Sequence, residues 1–161
     1  MSAVDLPAVP RVLIAEADPW SRDLLKQVLL NVRCDARLDV CADGRQAATL
    51  LRDNAYDLIM ADWDLPGIDG LSLLRTVRQQ RRSPALPFIL LSSRNDSASV
   101  REALPLAPTA YLTKPLNMEG LTQRLQDLLL NEGESVYWQA IRRNTSSLTP
   151  YYLLAAVDHR I

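Results

Sequence analysis

Histidine and lysine are almost absent from this chain of 161 residues. The single histidine, His159, has no second imidazole to share a metal or a proton with, so it supports neither a metal site nor a catalytic pair. There is no ATP-binding loop either, so any phosphoryl chemistry must draw on an external donor. Lysine occurs only at Lys26 and Lys114, and arginine supplies every other cation. The two cysteines, Cys34 and Cys41, lack metal-ligand spacing and fall far short of a secreted disulfide scaffold. They read as reduced, structural thiols. No run approaches ~18 apolar residues, which argues against a membrane span. The start, MSAVDLPAVPRV, has no basic segment followed by an apolar one, so the expected location is the cytoplasm. Formal net charge is only −1, which leaves no electrostatic footprint for nucleic acid. The dipeptide Arg142-Arg143 is too little to alter that.

What is present is a hydrophobic content of 48%, ample for a core. The length suits one ordinary domain with a modest appendage. The expected division is a lead-in over 1–10, a domain over 11–131 and an extension over 132–161. Val12 to Ala15 reads as a first strand ending in Glu16-Ala17-Asp18-Pro19. Asp before Pro marks a helix start, and Leu24, Leu25, Val28 and Leu29 continue that helix to about Val32. Leu38 and Val40 alternate with polar neighbours in a second strand, and Asp43 caps a helix carrying Ala47, Ala48, Leu50 and Leu51.

The stretch Tyr56 to Gly70, YDLIMADWDLPGIDG, organises the rest. Its apolar run, Leu58 to Ala61, stops at Asp62 and Asp64 and turns through Pro66-Gly67. Short apolar runs ended by turn signals read as central strands of a parallel sheet. A helix with Leu71, Leu73, Leu74 and Val77 follows; Arg78, Arg81 and Arg82 at its end read as a solvated cluster complementing the helix dipole. Then PFILLSS forms a strand ending in Ser92 and Ser93. A short helix from Ser97 to Leu104 is cut off by Pro105 and Pro108. Ala110 to Leu112 forms the fifth strand, ended by Thr113-Lys114-Pro115. Asn117 caps a last helix with Leu121, Leu125, Leu128 and Leu129.

Strands alternating with helices mean an α/β fold: a doubly wound, five-stranded parallel sheet with helices on both faces. The flavodoxin-like order 2-1-3-4-5 places a switch point between strands 1 and 3. Glu16, Asp18, Asp62 and Asp64 then meet in one crevice. Crowded carboxylates need a cation or a proton among them, and hard oxygen donors with room for water suit Mg²⁺. An aspartate so placed can act as nucleophile toward phosphorus. A metal on one side and the Lys114 ammonium on the other would neutralise the charge, and Ser92 could hydrogen-bond a phosphoryl oxygen.

These residues, in this order, resemble the receiver domain of two-component response regulators, over Val12 to about Leu130. The resemblance implies Asp62 as phosphoacceptor, Glu16 as the first acid of the metal pair, Ser92 as the hydroxyl, Lys114 as the lysine and Tyr111 as the aromatic whose rotamer reports phosphorylation. It implies a sensor histidine kinase or phosphotransfer protein as donor, a downstream output domain or protein, and Mg²⁺ as cofactor. The implied metal ligands are Glu16, Asp62 and, by its side chain, Asp64. The second acid of the family's pair falls on Ala17, which predicts weakened Mg²⁺ binding. Asp18, close by, reads as a helix cap. Taken singly, Ser92, Tyr111 and Lys114 have plainer readings as a strand end, a core aromatic and a solvated lysine; their joint spacing from Asp62 favours the functional one. Trp63 is expected to be partly exposed at the pocket rim.

Two other readings remain open at this level. One is a phosphorylation-independent pseudo-receiver, a binding module with the same fold. The other is a haloacid-dehalogenase-like phosphatase, because Asp62-Trp63-Asp64 resembles an Asp-x-Asp motif, although its usual place is after a first strand. Pro105 and Pro108 put the family's usual dimer geometry in question without excluding a homodimer by another face. Beyond Asn131 the resemblance ends. Val136 to Arg143 reads as a short helix, Asn144 to Pro150 as a linker, and Tyr151 to Val157 as an apolar contact segment.

Overall fold

A computed structural model describes residues 9–130, in which five strands alternate with five helices. Strands β1 (Arg11–Ala15), β2 (Arg37–Cys41), β3 (Leu58–Asp62), β4 (Phe88–Ser92) and β5 (Ala110–Thr113) form one parallel sheet in the order β2-β1-β3-β4-β5. Helices α1 (Pro19–Val32), α2 (Gly44–Asp53), α3 (Gly70–Gln79), α4 (Ser97–Ala103) and α5 (Met118–Leu129) connect and follow them. This is the expected doubly wound fold. Residues 1–8 of the expected lead-in and all of 131–161, including the Val136 and Tyr151 segments, lie outside the described residues.

Side chains alternate across a strand, so each buried strand serves two cores. Leu13, Ala15, Ile59, Ala61, Phe88 and Leu90 point to one face, where Leu73, Leu74 and Val77 of α3 cover them. Val12, Ile14, Leu58, Met60, Ile89 and Leu91 point to the other, against Leu25 and Leu29 of α1 and Leu121 and Leu125 of α5. Burying each such leucine contributes roughly 1.5–3 kcal/mol, and this double coverage explains why β3 and β4 are apolar without interruption until their last residues.

Each of α1 to α5 opens on an Asp or Asn that accepts a backbone N–H three residues on: Asp18 from Ser21, Asp43 from Gln46, Asp69 from Ser72, Asp96 from Ser99 and Asn117 from Gly120. Such caps satisfy donors that the first helical turn leaves free. Asp69 also sets the turn from β3 into α3. Gly67 there has φ +83°, and a Cβ on Gly70 would run into the backbone carbonyl of Asp62. β3 and α3 are thus in backbone contact, which only glycine allows.

The α3 end departs from expectation. Arg78 is not a solvated terminus: its guanidinium donates to the carbonyls of Leu106 (3.0 Å), Ala107 (2.9 Å), Pro84 (3.0 Å) and Leu86 (2.7 Å). Helix α4 stops at Ala103, and the chain after it passes through a 3₁₀ turn at Leu104–Leu106 and reaches left-handed Ala107 at φ 49°. Past this break the Leu106 and Ala107 carbonyls have no helical donor and take the guanidinium, as do the Pro84 and Leu86 carbonyls of the loop before β4. Arg81 and Arg82 are exposed as expected.

Candidate functional site

The parallel register delivers the candidate residues to one end of the sheet. Ala15 pairs with Ala61, Asp62 with Leu91 and Ser92 with Thr113, so Glu16, Asp62, Ser92 and Lys114 all leave the sheet at its carboxyl end. The backbone ladder runs one step further through Glu16 N–H to Cys41 (3.0 Å), Trp63 N–H to Leu91 (2.8 Å) and Lys114 N–H to Ser92 (2.8 Å). The first residue past β1, β3 and β5 is therefore held by the same ladder as the strand.

Glu16 is 1% exposed and its carboxylate faces inward. Lys114 donates to both of its oxygens, at 3.1 and 3.0 Å, and also to Oδ2 of Asp62. Oδ1 of Asp62 accepts the Asp64 N–H at 3.0 Å. Burial pushes the Glu16 carboxyl above its ordinary value, with the Asp62 charge adding to the rise and Lys114 opposing it. Burial works to lower the Lys114 ammonium, but its hydrogen bonds to Asp62 and Glu16 outweigh this and the net shift is upward. Two carboxylates and one ammonium share the edge, leaving a net negative charge beside a central strand end. Ser92 is fully buried, and its Oγ accepts the Arg94 N–H at 2.9 Å.

The structure does not bring the other two acids to this pair. Asp18 faces its own helix, where the Ser21 N–H reaches its carboxylate at 2.8 Å. Asp64 turns outward, and its carboxylate accepts from Arg94 Nη2 at 2.8 Å. Ala17 is exposed and offers no oxygen from its side chain.

Trp63 is a correction. It is 3% exposed, not at an open rim, because the Arg94 guanidinium lies over its ring at 4.8 Å and Tyr111 meets it edge-on at 6.4 Å and 81°. The Tyr111 hydroxyl donates to the Arg94 carbonyl at 2.5 Å. Arg94 was not singled out in the sequence; the only signal available was its place two residues past Ser92, on the loop leaving β4.

A doubly wound sheet with an acid pair, a hydroxyl and a lysine at its carboxyl edge has the layout of a phosphoryl-handling signalling module. The chain belongs to the response regulator receiver domain family, whose model matches residues 12–126. Over 123 residues it is 34% identical to the regulatory protein VanRB of Enterococcus faecalis, covering 76% of this chain and 54% of that one. Over 121 residues it is 36% identical to the transcriptional regulatory protein AfsQ1 of Streptomyces coelicolor, covering 75% of this chain and 52% of that one. The chain thus spans about half the length of these two relatives. The solved receiver domain of the Francisella response regulator 1452 superposes with a TM-score of 0.65 at 32% identity, covering 74% of this chain and 96% of that one. Receiver domains are generally non-enzymatic modules of two-component signalling that work with histidine kinases and output domains. They typically bind Mg²⁺ at their acidic site.

The donor set here suits that ion in kind. Glu16 and Asp62 supply hard carboxylate oxygens, but among the described residues no three His, Cys, Asp or Glu side chains are grouped to hold a metal. No helix among those residues is long and apolar enough to cross a membrane.

Proposed function

We propose that this chain is a phosphorylatable receiver in which Asp62 accepts a phosphoryl group from the phosphohistidine of a sensor kinase or phosphotransfer protein. The observation that carries this reading is Lys114 bridging Asp62 to the buried Glu16 at the end of the central strands. An Asp62 carboxylate oxygen attacks phosphorus, the P–N bond of the donor breaks, and its electron pair returns to the imidazole nitrogen. The product is an acyl phosphate. Lys114 neutralises charge on one side of the transferring group, and the Ser92 hydroxyl donates to a phosphoryl oxygen. Mg²⁺, held by Glu16 and Asp62, would supply further neutralisation. With Ala17 in place of an acid and Asp64 paired to Arg94, its affinity is reduced.

The switch follows from the same contacts. A phosphoryl group that accepts from the Ser92 hydroxyl draws on the same side chain that holds the Arg94 N–H, and Arg94 carries the carbonyl that holds Tyr111. Phosphorylation thereby biases the β4–α4 loop and Tyr111 between two settings, and a downstream output domain or protein reads the result.

Incubation with a small phosphoramidate donor and Mg²⁺ should add one phosphoryl group by intact mass, and Asp62→Asn should abolish it. Labelling that persists in Asp62→Asn would remove Asp62 from the mechanism. The missing acid at position 17 favours one second reading, a pseudo-receiver that binds its partner unphosphorylated. A folded wild-type protein that takes no label at any Mg²⁺ concentration would establish it.

A further inference from the structure

The amino ends of β3 and β4 open onto a cavity of about 370 Å³, walled by the end of α2 and by the loop leaving α3. The length of β3 separates it from Asp62, on the order of 15 Å at about 3.3 Å per residue. Its volume falls at the lower end of the range that small-molecule sites occupy.

Both walls are fixed by their own hydrogen bonds. On the α3 side Gln80 Nε2 donates to the Ser83 carbonyl at 2.9 Å, the Leu86 N–H donates to the same carbonyl at 3.2 Å, and Arg78 holds the Pro84 and Leu86 carbonyls. On the α2 side the Asn54 N–H and side chain both donate to the Leu50 carbonyl, at 3.0 and 3.1 Å. Leu51, Tyr56 and Leu86 supply apolar lining, and the Tyr56 hydroxyl is committed to Asp39 at 2.6 Å.

The charge around this cavity does not cancel. Arg52, Arg81 and Arg82 line it together with Asp53. Arg52 pairs with Asp53 at 3.0 Å, whereas Arg81 and Arg82 have no ion-pair partner among the described residues. The carboxyl ends of α2 and α3 each bring about half a negative charge, so together they offset one guanidinium and leave a surplus of about one positive charge. Complementing helix ends accounts for one of the two free arginines, and it does not call for apolar side chains beside them.

We propose that this cavity binds a small organic anion, a phosphate or carboxylate carried on a flat apolar ring. Arg81 and Arg82 take the anionic oxygens, which their planar forks match, and the ring lies against Leu51, Tyr56 and Leu86. A ligand there touches α2 and the α3 loop together and reaches neither Asp62 nor Lys114. The site is therefore independent of whether Asp62 is the acceptor.

The test uses the full chain labelled with ¹⁵N, titrated at physiological salt and followed by amide shifts. The probes are adenosine 5′-monophosphate and 1-naphthoate; adenosine, inorganic phosphate and acetate separate the ring from the charge. At least one probe should saturate below about 1 mM and move amides of residues 51–56 and 80–86, with the partial ligands at least about tenfold weaker. Arg81→Ala and Arg82→Ala together should weaken the probe at least about tenfold while leaving the urea midpoint unchanged, because both side chains are exposed. The paired Lys variant should restore part of the affinity. No saturation by either anion up to about 10 mM overturns the proposal, as do shifts scattered over the surface that fade with added salt. Inorganic phosphate binding as tightly as the probes reduces the cavity to a site for an adventitious ion only and overturns it. A poly-glutamate peptide that binds while both anions fail assigns the surface to an acidic protein segment instead.

Discussion

Lys114 and Glu16, 98 residues apart in sequence, meet in a two-point contact in which the ammonium donates to both carboxylate oxygens. The same ammonium reaches Asp62, so one cation holds the ends of β1 and β3 together from the end of β5. Glu16 has almost no solvent to fall back on, whereas Lys114 keeps 22% of its side chain exposed. The contact therefore matters more to the acid than to the base.

Removing the ammonium should be costly. Lys114→Met leaves two carboxylates at the strand ends without their cation, and breaking a buried pair costs on the order of 3 kcal/mol, with the exposure of Lys114 placing the loss at the low end. Urea denaturation at pH 7 measures it. The double variant Lys114→Met, Glu16→Gln should recover part of the loss, because it removes the stranded charge.

The pair also sets the shape of the stability–pH curve. Glu16 titrates above its ordinary 4.5 in the folded state, so between 4.5 and that higher value the native protein holds more protons than the unfolded chain. Its contribution falls as pH rises through this window, and Glu16→Gln should remove the slope. Lys114 titrates above its ordinary 10.5, so its contribution is complete below 10.5 and is lost as pH rises through the folded value. Denaturation midpoints of wild type, Glu16→Gln and Lys114→Met across pH 4 to pH 11 check both signs.

Gly70→Ala should disturb the end of β3 at Asp62 without touching any charged group. The added methyl meets the Asp62 carbonyl and the Trp63 backbone, neither of which can swing aside. The expected loss is roughly 1–3 kcal/mol, typical of overpacking, together with slower labelling of Asp62. Gly120→Ala, whose Cβ would find ordinary contacts at 3.7 Å and beyond, is the control and should be neutral or stabilising.

The two thiols should separate cleanly. Burial pushes the Cys41 thiol up to about 11, with the Asp43 charge adding to the rise, whereas Cys34 is exposed. Ellman's reagent at pH 8 should titrate one thiol in the native protein and both in denaturant. Cys34→Ser should abolish the native reaction.

The fold was legible because its signals are local. Doubly buried strands are apolar to their last residue, and Asp18, Asp43 and Asn117 sit immediately before helices as caps must. Asp69 and Asp96 carry the same signal before α3 and α4, and the same rule would have found them. What escaped depends on surroundings supplied by other elements. Trp63 is buried because an arginine from the β4–α4 loop folds over it. Asp64 leaves the acid cluster for that same arginine, 30 residues away. Arg78 acts on carbonyls of two other segments, a demand that nothing in α3 announces.

That arginine has a consequence for how the protein opens. The loop before β4 and the turn before β5 are distant in sequence, yet their carbonyls converge on a single guanidinium. Detaching either segment strips the guanidinium of two of its four carbonyl acceptors, which couples the two segments through Arg78. Hydrogen exchange on this edge of the sheet should therefore occur in one concerted event rather than loop by loop, and a protease nick in either segment should leave the severed ends stitched in place.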